Sequence, residues 1–89
     1  MKYKLIAYEN GIEFGKAEIN ANVIVINSNA EYFAALKLVA ELTQSKGDFT
    51  DMTISVEQET IKIENVTDMY VQALIEETTR KLKISWQPQ

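Results

Sequence analysis

Eighty-nine residues, 46% hydrophobic and 25% charged, with a net charge of −4, describe one folded domain whose small core needs nearly every apolar residue it has. The absence of cysteine excludes disulfides and thiolate metal sites, and the absence of histidine removes the commonest general base and a leading transition-metal ligand. No apolar run approaches the ~20 residues that span a bilayer, and the opening MKYKLIAYENG turns polar too soon for a signal peptide, so a soluble cytoplasmic protein is expected.

The first element is a hairpin. Lys2–Tyr8 and Ile12–Ile19 flank Asn10–Gly11, a pair suited to a type I′ turn because both central residues need positive φ. A plain two-residue loop sets Ala7 opposite Phe14 and Leu5 opposite Lys16. One face then carries Tyr3, Leu5, Ala7, Ile12 and Phe14, and the other carries Ile6, Tyr8, Ala17 and Ile19 among charges. Apolar residues on both faces suggest a sheet covered on one side and touched on the other by a second subunit.

Val23–Ile26 is apolar at every position, the pattern of an interior strand buried on both faces. The helix after it is expected to start at Ser28, which with Glu31 has capping-box spacing, and to end at Gly47 in a left-handed C′ position. Its buried stripe is Tyr32 or Phe33, Leu36, Val39, Ala40 and Thr43, and Lys46 suits the dipole at its end.

A second hairpin follows the loop from Asp48 to Asp51. A turn at Gln58–Glu59 sets Val56 opposite Ile61 and Ile54 opposite Ile63 on one face. Thr53, Ser55, Glu57, Thr60, Lys62 and Glu64 occupy the other. The second helix is expected from Asp68 to Lys83, capped by Thr67, with Val71, Leu74, Ile75, Thr78 and Leu82 buried and Glu76–Arg80 and Glu77–Lys81 paired along its surface. The tail holds the only Trp and the only Pro and can add a short strand through Ile84–Trp86. At an offset of 38, Asn27, Tyr32, Ala35 and Leu36 align with Asn65, Tyr70, Ala73 and Leu74, so two sheet-then-helix units echo each other.

The expected fold is therefore α+β: a mostly antiparallel sheet of about five strands with both helices on one face, in the order β-β-β-α-β-β-α. It forms a single domain over residues 1–89. Residues 1–47 supply the first hairpin, the buried strand and the first helix, and residues 48–89 the acidic hairpin, the second helix and the tail.

Motifs for chemistry are weak. Asp48-Phe-Thr-Asp51 lacks the alternating acids, central Gly and terminal Glu of a calcium loop, and no metal is expected. Asn65-Val-Thr67 matches a glycosylation sequon, but Thr67 is better used as a cap. Ser55 and Lys62 should be cross-strand neighbours, but on an open sheet face and not in the desolvating pocket that a Ser–Lys nucleophile and base require. The glycines, Gly11, Gly15 and Gly47, make no phosphate loop, and no cofactor is expected. The chain reads as non-enzymatic.

Charge is the remaining clue. Residues 1–46 hold equal numbers of acids and bases. Residues 47–79 hold Asp48, Asp51, Glu57, Glu59, Glu64, Asp68, Glu76 and Glu77 against Lys62 alone, a balance of −7, and Arg80, Lys81 and Lys83 follow. Such a segment repels nucleic acid and attracts basic partners. Most acidic faces serve only solubility. The sharper expectation makes these eight acids a partner-binding surface that imitates nucleic-acid charge and blocks a basic DNA- or RNA-binding protein, without binding nucleic acid or membrane itself. Small acidic phage proteins that block host nucleic-acid-binding proteins work this way as a class, a comparison resting on charge and size. The rival expectations are a small-molecule-binding domain and an oligomeric scaffold. The apolar residues of the first hairpin also favour a homodimer.

Overall fold

The computed structural model describes residues 2–89. The chain passes through β1 (Lys2–Glu9), β2 (Ile12–Asn20), β3 (Val23–Ser28), α1 (Ala30–Lys46), β4 (Thr53–Glu57), β5 (Thr60–Glu64), α2 (Asp68–Leu82) and β6 (Ser85–Pro88). One antiparallel sheet takes all six strands in the order β4-β5-β3-β2-β1-β6. Alternate residues Leu5, Ala7, Ala17, Ile19, Ile24, Ile26, Ile61 and Ile63 form one buried cluster with Leu36 and Ala40 of α1 and Val71 and Leu74 of α2. Both helices therefore cover the same face and leave the other open. The α+β class is as expected, with one strand more: the tail pairs along β1, Ala7 opposite Trp86 and Leu5 opposite Pro88.

The first hairpin departs from its plain register. Asn10 and Gly11 do take positive φ, 52° and 78°, as the turn requires. A bulge then intervenes, so that Tyr8 faces Glu13 but Ala7 faces Gly15 and Leu5 faces Ala17. Phe14 is the extra residue. The slip turns Phe14, Ala17 and Ile19 all toward the helices, where each is at most 8% exposed, and strands Ile12 outside at 71%. The expected second apolar face thus loses Ala17 and Ile19, and the argument it gave for a dimer goes with them. Gly15 is required at this slip because a Cβ there would lie 2.6 Å from the Asn27 carbonyl oxygen.

Strand β3 lies inside the sheet, as its composition suggests, but it is not buried on both faces. Ile24 and Ile26 meet the helices, whereas Val23 and Val25 stay half-buried on the open face. Helix α1 starts one residue later than the capping-box spacing predicts. Asn29 is the cap, its Oδ1 accepting from the Tyr32 N–H at 3.3 Å, while Ser28 remains in the strand, buried. At the other end Gly47 has φ −91°, and Asp48 takes the left-handed position at φ 57°. What demands glycine at 47 is space: a Cβ would run into the Phe49 ring. That ring meets Tyr70 edge-on, with centroids 5.2 Å apart.

The second hairpin pairs as its alternation predicts, Val56 with Ile61 and Ile54 with Ile63 across a turn at Gln58–Glu59. Thr67 caps α2, accepting from the Tyr70 N–H at 3.2 Å. The buried stripe differs from the expected one at three large residues. Tyr70 is fully buried with its hydroxyl donating to the Ala40 carbonyl at 2.9 Å, while Ile75 and Leu82 reach only partial burial. Trp86 packs partly against the core, and its indole N–H donates to Thr78 Oγ1 at 2.8 Å.

The echo between halves has a structural form. β2-β3-α1 and β4-β5-α2 follow the same path, and β3 and β5 lie side by side, running in opposite directions. A shift of 37 positions carries Ile24 to Ile61, Ile26 to Ile63, and the turn residue Ala21 to Gln58, both at φ 55°. The pairs Ile24–Ile63 and Ile26–Ile61 exchange under that shift, which places an approximate two-fold axis through the Val25–Lys62 pair.

Candidate functional site

Six of the eight acids gather around the β4–β5 hairpin. Asp48 and Asp51 stand in the loop before it and Glu57 and Glu59 at its turn. Glu64 is on its last strand position, and Asp68 lies just beyond, in the first turn of α2. The loop is tied to the strand end, since Asn65 Nδ2 donates to the Asp51 carbonyl at 3.3 Å. Asn65 itself has φ 60°, so the sequon asparagine serves as a left-handed corner. Gln44 Nε2 holds the same loop from α1, donating to the carbonyls of Phe49 and Met52 at 3.1 and 3.0 Å. All of these acids are exposed except the half-buried Glu64, and among the described residues none is engaged in an ion pair.

The row on the open face is interrupted. Glu57 pairs with Thr60 and Thr53 with Glu64, but between them Ser55 faces Lys62. Lys62 in turn faces Val25 on β3, so one cation lies between Glu57 and Glu64. Ser55 Oγ donates to the Lys62 carbonyl rather than to its amine, a contact at 3.4 Å on exposed surface. This is a strand-edge bond, with no nucleophile poised by a base.

The last two acids lie elsewhere. Glu76 is exposed on α2. Glu77 is only 14% exposed at its side chain and is shared by two cations: Lys46 Nζ at the end of α1, 3.2 Å away, and Arg80 one turn along α2. The hydrogen bond from Lys46, aided by Arg80, holds its carboxyl below the usual range. Arg80 is thus spent on Glu77 rather than on Glu76, and the Glu77 charge is neutralised where it stands. Nothing in local spacing announces the Lys46 bond, because the partners are 31 positions apart. Lys83 takes a left-handed cap at φ 60°, so the basic cluster is an ordinary helix terminus.

The other half of the sheet is electrically mixed. β1 and β2 carry Lys2, Lys4 and Lys16 among Glu9, Glu13 and Glu18, with Lys4 directly opposite Glu18. The one unusual contact there joins Tyr32 to Glu9: the phenol, stacked on Phe14 at 4.0 Å, donates to the Glu9 carboxylate. That bond, with partial burial and the nearby negative charge of Glu9 and Glu31, pushes the phenol up to about 12. A small apolar space between Leu5, Ile24, Val71, Leu74 and Trp86 has a volume of about 20 Å³, far under the ~300–1,000 Å³ of ligand pockets. Larger hollows, of about 430 Å³ over Val23, Val25 and Lys62 and about 480 Å³ beside Ile75 and Trp86, open broadly on the surface. No helix among the described residues is long and apolar enough to cross a membrane. Compared with protein-family models, curated proteins and solved structures, the chain matches none of them.

Proposed function

We propose that the chain is a non-enzymatic protein-binding module whose β4–β5 hairpin and flanking turns dock on a basic surface that otherwise holds nucleic acid. The observation that carries this reading is the grouping of Asp48, Asp51, Glu57, Glu59, Glu64 and Asp68 around one hairpin, with Lys62 as the only base among them. Such a grouping raises the rate of encounter with a cationic groove as well as the affinity for it. Glu76 and Glu77 fall outside this surface, Glu77 because Lys46 and Arg80 already neutralise it. Against a small-molecule-binding domain stands the shape of the concave space, tiny where it is apolar core and broadly open where it is large.

The test is displacement of labelled duplex DNA from basic DNA-binding proteins by the purified chain, repeated with the triple variant Glu57→Lys, Glu59→Lys, Glu64→Lys. Displacement should weaken steeply between low and moderate salt, and the variant should lose about 100-fold or more in affinity. Displacement that ignores salt, or that the triple variant retains, overturns the reading.

A further inference from the structure

The sheet has two free edges, and they are not alike. A two-residue turn makes Glu57–Thr60 a hydrogen-bonded pair, so in β4 the N–H and C=O groups of Thr53, Ser55 and Glu57 point at β5. Those of Ile54 and Val56 point outward, unpaired among the described residues. On β6 the Gln89 N–H bonds the Lys4 carbonyl at 3.0 Å, which leaves the backbone groups of Trp86 and Pro88 facing the free edge, and proline has no N–H to offer. Strand β4 has no proline, no lysine and no bulge, and its single charge, Glu57, stands at its end. Its apolar side is also underfilled, with Val56 41% exposed and Ile54 half-buried.

We infer that β4 pairs with β4 of a second copy of this chain, antiparallel about a two-fold axis at Ser55. That register alone lets the outward groups of Ile54 and Val56 bond those of the partner's Val56 and Ile54. It also lays each aliphatic against the other on the helix-covered face. Ser55 then meets its own copy, and Thr53 meets Glu57, so no like charges are directly opposite within the strands. A five-residue edge buries far less than the ~1,200 Å² of a stable complex, so the dimer exchanges with monomer. Beyond the strands the same register brings Asp51 toward the partner's Glu59, and salt therefore strengthens the dimer. This is opposite in sign to the salt dependence of docking on a basic partner, and the inference stands independently of that docking.

The chain lacks cysteine, so single cysteines report the register cleanly. In the non-hydrogen-bonded pair at the axis, Cα atoms lie ~4.5 Å apart, within the span a disulfide bridges. Ser55→Cys should form an intermolecular disulfide on mild oxidation, more completely at higher salt. Thr53→Cys alone and Glu57→Cys alone should not, because each lies ~13 Å along the strand from its own copy, yet a mixture of the two should cross-link. Val56→Lys introduced into Ser55→Cys should reduce cross-linking at least ~10-fold, with circular dichroism confirming that the fold is kept. The inference is overturned if Ser55→Cys stays monomeric, if Thr53→Cys cross-links as readily, or if sedimentation finds only the 10.1 kDa species up to about 1 mM.

Discussion

The two β-β-α units follow one local plan and reach different ends. Each helix is capped by a polar side chain accepting from the N–H of a tyrosine three residues on, Asn29 to Tyr32 and Thr67 to Tyr70. Yet Tyr70 is sealed in the core against Phe49 and the Ala40 carbonyl, while Tyr32 lies at the rim, stacked on Phe14 and bonded to Glu9. The cause lies outside the repeated parts. β2 is flanked by β1, which brings Glu9 to Tyr32, whereas β4 is flanked by nothing and the loop before it folds Phe49 over Tyr70. Identical local instructions set where a helix starts. The neighbours decide what its first tyrosine does.

The largest effect that tests this contrast is truncation. Tyr70→Ala should cost ~3–5 kcal/mol of unfolding free energy, enough to unfold much of so small a domain, while Tyr32→Ala should cost less than half as much in the same denaturant titration. Equal losses would mean the two sites are energetically equivalent despite their surroundings. The caps sharpen the same point at lower amplitude. Asn29→Ala and Thr67→Ala should each cost ~1 kcal/mol, similar to one another even though the tyrosines they hold are not.

The smallest effects are in pH, with opposite limbs for the two units. Glu77, on α2, has its carboxyl lowered by Lys46 and Arg80, so the stability it contributes is present above the unfolded value of about 4.5 and is lost as pH falls through the folded one. Tyr32, on α1, is raised from 10.0 to about 12, so its contribution is intact below 10 and fades as pH climbs toward 12. Thermal melts should therefore show Glu77→Gln flattening the acid limb and Tyr32→Phe flattening the alkaline limb, each leaving the other unchanged. Phenol absorbance at high pH checks the second directly.

How much of this was readable in the sequence depended on whether neighbours or spacing held the information. The second hairpin was legible because strict alternation from Thr53 to Glu64 permits one register only. The first was not, because a bulge leaves the residue types unchanged and alters only which face they meet. Gly15 inside a strand was the available sign of it. Thr67 as a cap was legible, but Asn29 was hidden by the capping-box spacing of Ser28, which the strand retained. Tyr70, as a large aromatic, is expected at the core or its edge, but its place in the α2 stripe was not legible, because that depends on Phe49 and Ala40, which are distant in sequence. Within the candidate site, the hairpin acids followed from pairing. The neutralisation of Glu77 did not, since Lys46 reaches it from the other helix.

The indole bond to Thr78 has a practical corollary. With one Trp in the chain, partly buried and tethered at the end of the sheet farthest from β4, intrinsic fluorescence is an optical readout of a single strand. Peeling β6 from β1 would wet the ring and red-shift its emission while the rest of the sheet held. An event at the hairpin would leave the spectrum dark to it. The molecule carries its own reporter for which side has moved.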